Sequence, residues 1–273
     1  MKEETFEGVG GLKIFMRSWR PAGTSRAVVA ICHGFNSHSG YYLWVAEQLA
    51  AAGFAVYALD LRGRGKSDGE RYFVEKFDYY LDDVDRLIGI ARSREPGMKV
   101  FLLGHSAGGV ISCVYTLEHQ KELAGLICES FAFQVPAPDF ALAVLKGLSH
   151  LAPHAHVLKL DTNGFSRDPK VIATMLSDPL LAHEVQPTLT VAEMVRADER
   201  LKREFSLFTL PLLIIHGTAD KVTVPAGSKL FHQKASSSDK TLKLYDGYVH
   251  DPLSDIGKEV VMEDIKGWIT ARC

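Results

Sequence analysis

Short apolar runs, several of them rich in β-branched residues, alternate along this chain with longer segments of helical periodicity. The runs are almost continuously hydrophobic, which is typical of parallel strands covered by helices on both faces. They fall at residues 26–32, 55–59, 99–103, 125–128, 211–216 and 241–245. The pattern predicts an α/β fold with a mostly parallel central sheet, helices on both faces and an N-terminal hairpin around Gly10 and Gly11.

One long stretch departs from this alternation. The predicted helices between the strands are 41–52, 77–94, 107–119, 225–235 and 254–271. Residues 131–206 have helical apolar spacing but no convincing strand, so we expect a helical insertion over the edge of the sheet. The core is then formed by residues 1–130 and 207–273, and a chain of 273 residues is long enough to bury one.

The charge balance excludes several classes of function. There are 31 basic and 33 acidic side chains and no basic block, so we expect no nucleic-acid partner. No apolar run approaches the roughly 20 residues that span a bilayer, and the N-terminus lacks the pattern of a signal peptide. We therefore expect a cytoplasmic protein without a transmembrane segment. The 4 cysteines form no CxxC pair and are expected to be free thiols, three of them buried.

The strand at 99–103 runs directly into Gly104-His105-Ser106-Ala107-Gly108, which is followed by a predicted helix. A serine on such a sharp strand-to-helix turn projects from the carboxyl edge of the sheet, and glycine two positions to either side permits the close backbone approach. The pattern predicts that Ser106 is a nucleophile. The alternative is a glycine-rich helix start in which the serine is only a cap.

A serine hydroxyl is a weak nucleophile at neutral pH, so it needs a base and an acid that orients the base. His250 follows the last strand in a glycine-containing loop and is the predicted base. Asp220 follows the strand 211–216 and is the predicted acid, which gives the chain order Ser, Asp, His. Glu129, at the end of the strand 125–128, is a rival for the acid.

Acyl transfer also needs hydrogen-bond donors for the oxyanion. One predicted donor is the backbone N–H of Ala107, directly after the nucleophile. The other comes from the loop after the strand 26–32, where we favour the N–H of Phe35. The alternative interpretation of His33-Gly34 is a plain turn that ends the strand.

Five blocks of the sequence together resemble one enzyme superfamily. They are the segments 33–41 (HGFNSHSGY), 60–71 (DLRGRGKSDGER), the turn at Ser106, 216–220 (HGTAD) and 250–253 (HDPL). The chain resembles the α/β-hydrolases, and within them the monoacylglycerol lipase and lysophospholipase-like branch. Arg64 and Ala107 depart from the pattern, because relatives commonly have His and Met there; the smaller Ala107 side chain is able to widen the acyl entrance.

The resemblance implies a serine carboxylic ester hydrolase that forms an acyl-enzyme and needs no cofactor and no metal. It implies lipophilic single-chain acyl esters, such as monoacylglycerols, as substrates, and a helical cap (lid) formed by 131–206. The alternatives on the same fold are a general carboxylesterase, a thioesterase or a lactonase that prefers short acyl groups. A receptor without turnover is a further alternative, but such proteins usually lose a member of the triad. Dehalogenase and epoxide hydrolase chemistry is disfavoured, since those relatives have Asp in place of Ser106.

The insertion carries apolar residues at helical spacing that either line an acyl channel or pack the cap onto the sheet. They are Phe140, Leu142, Val144, Leu145, Leu148, Leu151, Val171, Ile172, Met175 and Leu176. Transient membrane or micelle contact would occur through this cap.

Two further motifs have competing interpretations. His150, His154 and His156 suggest a metal site, but Pro153 interrupts the helical register between them. The block Arg62-Gly63-Arg64-Gly65 suggests phosphate binding, but it lacks the spacing of a P-loop, so we expect a fixed loop in which Arg62 is salt-bridged.

Overall fold

The computed structural model describes residues 1–133 and 139–273, with the side chains of residues 139–141 outside the described part. The strands are β1 (Lys2–Glu7), β2 (Lys13–Trp19), β3 (Ala27–Cys32), β4 (Phe54–Leu59), β5 (Val100–His105), β6 (Gly125–Glu129), β7 (His156–Leu158), β8 (Gln186–Pro187), β9 (Leu212–Gly217) and β10 (Lys240–Tyr245). The helices are α1 (Leu43–Ala51), α2 (Asp78–Arg94), α3 (Ala107–His119), α4 (Asp139–Leu151), α5 (Pro169–Ser177), α6 (Thr188–Glu204), α7 (Pro225–Lys234) and α8 (Lys258–Thr270).

Within the described residues, eight strands form one sheet in the order β1-β2-β4-β3-β5-β6-β9-β10. The pairs β1·β2 and β2·β4 are antiparallel, and every pair from β4 to β10 is parallel. The predicted N-terminal hairpin and the mostly parallel α/β sheet are therefore confirmed. Parallel strands end at the same edge, so the loops after β3, β5, β6 and β9 meet at the carboxyl edge of the sheet.

Strand β3 shows why the strand sequences are apolar without interruption. Its alternate residues point to opposite faces of the sheet, where Val28 joins a buried cluster with Ile111 of α3, and Val29 joins another with Ile265 of α8. Both clusters are covered by helices. A strand that is buried on both faces has no position for a polar side chain, which accounts for the continuous hydrophobicity.

The connection between β6 and β9 contains α4, α5 and α6. It also contains β7 and β8, which pair antiparallel, so the prediction that 131–206 holds no strand was wrong. These strands are three and two residues long and too short to produce an alternating pattern. The last helix begins at Lys258 instead of 254, after Gly257, which has a left-handed backbone conformation.

Two further expectations concern the cysteines and the length and hydrophobicity of the helices. The thiols of Cys32, Cys113 and Cys128 are free and buried, as predicted. In the described part of the chain, none of the helices combines the length and the apolar character that a bilayer crossing demands.

Candidate active site

Ser106 lies at the turn between β5 and α3 and has a positive φ of 53° with ψ of −122°. Its backbone N–H donates to the carbonyl oxygen of Glu129 at 3.0 Å, which ties the turn to the neighbouring strand β6. A Cβ at Gly108 would overlap the carbonyl oxygens of Cys32 and His33, so the sequence has glycine where the two backbones cross. The turn therefore has the strained geometry that the motif predicts.

The structure brings the three predicted side chains into one hydrogen-bonded chain. His250 Nε2 lies 2.9 Å from Ser106 Oγ, and His250 Nδ1 lies 2.8 Å from Asp220 Oδ2. The imidazole is fully buried. Because a carboxylate only accepts, Nδ1 carries the proton and Nε2 is left to accept from the serine hydroxyl. This arrangement polarises the hydroxyl toward loss of its proton.

Besides the imidazole of His250, several other groups donate hydrogen bonds to the carboxylate of Asp220. Its Oδ2 also lies 3.0 Å from His216 Nε2 and accepts from Thr223 Oγ1 at 2.7 Å, while Oδ1 accepts from two backbone N–H groups. Burial acts to raise the pKa of Asp220, but the hydrogen bonds from His216, His250 and Thr223 outweigh it and hold this pKa well below its ordinary value. The aspartate therefore stays ionised.

Sequence reasoning missed His216 and Thr223. The available signal was their position, since His216 is the penultimate residue of β9, on the edge where the acid loop begins, and Thr223 lies three residues after Asp220. A histidine and a hydroxyl that flank a predicted acid so closely are its nearest potential donors.

Two residues of the β6–β9 connection also contact His250. The Phe165 ring meets the imidazole edge-on, with 4.9 Å between centroids, and the His250 N–H donates to the Gly164 carbonyl oxygen at 3.3 Å. The centroids of the His105 and His250 rings also lie 4.9 Å apart, and His105 Nε2 donates to the His250 carbonyl oxygen at 3.2 Å. Burial lowers the pKa of His105 to about 4, so this ring is neutral.

Glu129, the rival acid, lies elsewhere. Its Oε1 accepts from the Leu253 N–H at 2.9 Å, and burial, followed by the nearby Asp251, raises its pKa well above the ordinary value. The structure thus places Asp220 against His250 and leaves Glu129 as a buried group behind the turn.

The loop after β3 lies directly against the turn at Ser106. A Cβ added to Gly34 would be 2.7 Å from Ser106 Cβ and 2.9 Å from the His105 carbonyl oxygen. Phe35 and Ala107, the predicted oxyanion donors, line one cavity together with Ser106. The structure therefore brings the two predicted donors to the serine.

That cavity is mainly apolar. Its apolar lining is contributed by Ala132, Leu158, Leu160, Val191, Met194, Val195 and Val222. The part from the β6–β9 connection comes from Ala132 after β6, from Leu158 and Leu160 at and after the end of β7, and from α6. The predicted lining residues of α4 and α5 are not among them; Leu151 is 86% exposed and Met175 is buried, while the Phe140 side chain lies outside the described residues.

The structure does not bring the three histidines of the suggested metal motif together. His154 Nδ1 lies 2.7 Å from a Glu70 carboxylate oxygen, and His150 Nε2 lies 3.5 Å from the Arg196 guanidinium, a cation that disfavours a metal ion there. In the part of the chain that the structure describes, the potential ligand atoms that do converge, within 4.8 Å, belong to His105, Glu129 and Asp251.

The arginines of the suggested phosphate motif are paired with acidic side chains. Arg62 Nε and Nη2 donate to the two oxygens of Asp83 at 2.7 and 2.9 Å, as expected for a fixed loop. Arg64 donates to Glu184 and, at 2.5 Å, to Gln186 Oε1. Both guanidinium groups are thus paired with acceptors of the protein itself.

A strained serine between a parallel strand and a helix, hydrogen-bonded to a histidine that is itself hydrogen-bonded to an aspartate at the same sheet edge, defines an α/β-hydrolase of the serine hydrolase class. The chain belongs to the family described as serine aminopeptidase S33, whose sequence profile matches residues 23–257.

Named relatives cover almost the whole chain. It is 34% identical to a monoacylglycerol lipase of Mycolicibacterium smegmatis over 98% of this chain and 97% of the relative. It is 32% identical to the human monoglyceride lipase over 96% of this chain and 88% of the relative. A crystal structure of the Paleococcus ferrophilus monoacylglycerol lipase superimposes with a TM-score of 0.87 and 29% identity, covering 95% of this chain and 99% of that one.

Proposed function

We propose that the chain is a carboxylic ester hydrolase for lipophilic single-chain acyl esters, of which monoacylglycerols are the leading class. The observation that carries the proposal is the hydrogen-bonded chain of Ser106, His250 and Asp220 opening into an apolar cavity. The names of the relatives support the substrate class, since two curated relatives and one solved structure are monoacylglycerol or monoglyceride lipases.

In the proposed mechanism the three side chains are a catalytic triad. Ser106 Oγ attacks the ester carbonyl while His250 Nε2 takes the hydroxyl proton, and Asp220 stabilises the imidazolium that forms. The N–H groups of Phe35 and Ala107 donate to the oxyanion. The C–O bond then breaks, and His250 gives its proton to the leaving alcohol. In the second half of the reaction water attacks the acyl-enzyme while His250 takes a proton from it, and His250 then returns that proton to Ser106 Oγ as the carboxylic acid leaves.

We further propose that residues 131–206 are a lid over a core of residues 1–130 and 207–273. The insertion supplies Leu158, Val191 and Met194 to the cavity wall, which supports this assignment. Because the insertion forms part of the cavity wall beside Ser106, we propose that the lid moves to admit a long acyl chain. Val144 and Leu151 of α4 are exposed, and transient membrane or micelle contact through this helix remains part of the proposal, as does a cytoplasmic location.

The first experiment compares Ser106→Ala with the matched surface change Ser93→Ala on α2. We expect Ser106→Ala to abolish hydrolysis of p-nitrophenyl butyrate and covalent labelling by a fluorophosphonate probe, because both reactions need Oγ. Ser93→Ala should retain both. Turnover by well-folded Ser106→Ala protein at the unsubstituted rate would remove Ser106 from the role.

A second measurement tests the substrate class. The kcat/KM for a series of monoacylglycerols from short to long acyl chains should rise with chain length, since an apolar cavity gains binding free energy with each buried methylene group. A maximum at the shortest acyl groups would instead favour a general carboxylesterase.

A further inference from the structure

A buried polar cluster joins the insertion to the loop that carries Phe35. Arg64, which is 1% exposed, extends from the loop after β4 and donates to the carboxylate of Glu184 and to Gln186 Oε1. Its guanidinium carbon also lies 4.0 Å from the centroid of the Phe35 ring. Arg64 therefore contacts both the insertion and the side chain of a proposed oxyanion donor.

Glu184 makes the second connection. Its Oε1 accepts from the backbone N–H of Asn36 at 2.9 Å and from Gln186 Nε2 at 2.7 Å, in addition to the Arg64 guanidinium. Asn36 follows Phe35 and has a positive φ of 51°, a conformation that needs support in a residue other than glycine. The carboxylate thus fixes the peptide group on the carboxyl side of Phe35, while Arg64 fixes its ring.

The burial of this cluster makes the contacts strong and mutually dependent. A buried charge that loses its partner is strongly destabilising, whereas an intact and well hydrogen-bonded pair is tolerated. If the segment 184–187 withdrew from the core, Arg64 would lose both of its side-chain acceptors there and the Asn36 N–H would lose the Glu184 oxygen. The conformation of the Phe35 loop is therefore tied to the docked position of the insertion.

We propose that Glu184, held by Arg64, is a positioning residue that keeps the Phe35 N–H aimed at the oxyanion, so that the oxyanion hole is complete only when the segment 184–187 is docked. This inference rests on the proposed function. It explains how a lid that moves for substrate entry, as proposed above, also controls the chemical step, because the same carboxylate holds the lid segment and the donor loop.

The test is Glu184→Ala, assayed with p-nitrophenyl butyrate and with phenylboronic acid, whose tetrahedral adduct with Ser106 places an oxygen where the oxyanion forms. Loss of alignment of one donor should lower kcat by about 10- to 100-fold with KM changed less than about threefold. The inhibition constant for phenylboronic acid should rise by the same factor as kcat falls. Fluorophosphonate titration to completion counts the folded active sites, so misfolded protein does not enter kcat.

Two further variants separate positioning from loosening of the lid. Arg71 also joins the insertion to the core, donating to the Leu180 carbonyl oxygen at 2.6 Å and to the Gly65 carbonyl oxygen at 3.1 Å, and Arg71→Gln should leave kcat nearly unchanged. Glu184→Gln keeps an oxygen acceptor for Asn36 and should recover most of the lost kcat.

Two results would overturn the inference: equal losses of kcat in Glu184→Ala and Arg71→Gln, or an unchanged inhibition constant for phenylboronic acid in Glu184→Ala. Failure of the proposed function itself is distinguished by Ser106→Ala, because that variant would then retain its activity.

Discussion

At the scale of single residues, Asp220 shows how the fold selects one acid from two. Asp220 follows β9 and Glu129 ends β6, so both lie at the carboxyl edge of the sheet. Their surroundings shift the two pKa values in opposite directions. Asp220 receives hydrogen bonds that lower its pKa, whereas burial raises the pKa of Glu129. One carboxyl group is therefore held as an anion against the imidazole, whereas the surroundings of the other disfavour its charged form.

This contrast gives a prediction for the two amide substitutions. Asp220→Asn should lower kcat by about 10⁴-fold, because an amide that donates to Nδ1 leaves the imidazole in the wrong tautomer. Glu129→Gln should change kcat by less than about tenfold, since Glu129 accepts from the Leu253 N–H, a contact that the amide oxygen of glutamine can keep. Steady-state kinetics on both variants decides the matter, and a larger loss in Glu129→Gln would reverse the assignment of the acid.

Sequence reasoning predicted Ser106, Asp220 and His250 as one site because each follows an apolar strand in a fixed chain order, and the structure brings the three together. It did not identify His216, Thr223 or Glu184. Their contacts depend on which donors a loop folds toward an acceptor, and single polar residues carry no periodicity that reports this. The part of the site set by topology was predictable, and the part set by packing of loops was not.

At the scale of secondary-structure elements, the turn after β3 packs directly against the turn after β5. Gly34 leaves no room for a side chain between Ser106 and the His105 carbonyl oxygen. The strands themselves were well predicted, because residues buried on both faces must be apolar. The pair β7·β8 was missed, since five residues stabilised by their neighbours have little pattern of their own.

Gly34→Ala should destabilise the protein by about 1–3 kcal/mol, because the added Cβ meets backbone and the Ser106 Cβ, which have little freedom to shift. The matched control is Gly89→Ala on α2, where an added Cβ meets nothing within 4 Å. That change should stabilise the helix by about 0.5–1 kcal/mol. Urea unfolding of both variants measures the difference; equal midpoints would show that the two turns have room to separate.

At the scale of the whole molecule, stability depends on a histidine that must stay neutral. The Nδ1–H of His33 donates to the Gly34 carbonyl oxygen at 2.6 Å, and its Nε2 accepts from the Leu61 N–H at 2.9 Å. Protonation would turn that acceptor into a donor facing another donor. Burial lowers the pKa of His33 to about 3, compared with 6.5 for an ordinary histidine.

Because the folded pKa is the lower one, the unfolded chain binds this proton first as the pH falls. The stabilisation is complete above pH 6.5 and declines between pH 6.5 and 3, by about 2 kcal/mol at pH 5. His33→Gln, which retains a donor and an acceptor, should reduce the slope of the unfolding free energy against pH between pH 6 and 5. The decrease should correspond to nearly one fewer proton taken up on unfolding. Identical slopes in the two proteins would mean that His33 is already charged in the native state.

The positive φ of Ser106 sets catalytic ability against resistance to heat. A residue other than glycine in that region costs about 1–3 kcal/mol, so Ser106→Gly should melt about 2–4 °C above Ser106→Ala, despite the greater freedom of glycine in the unfolded chain. Differential scanning calorimetry of the two inactive variants measures this gap. A descendant that exchanged its nucleophile for glycine would relieve this strain, so folding thermodynamics favours that particular evolutionary route to loss of turnover.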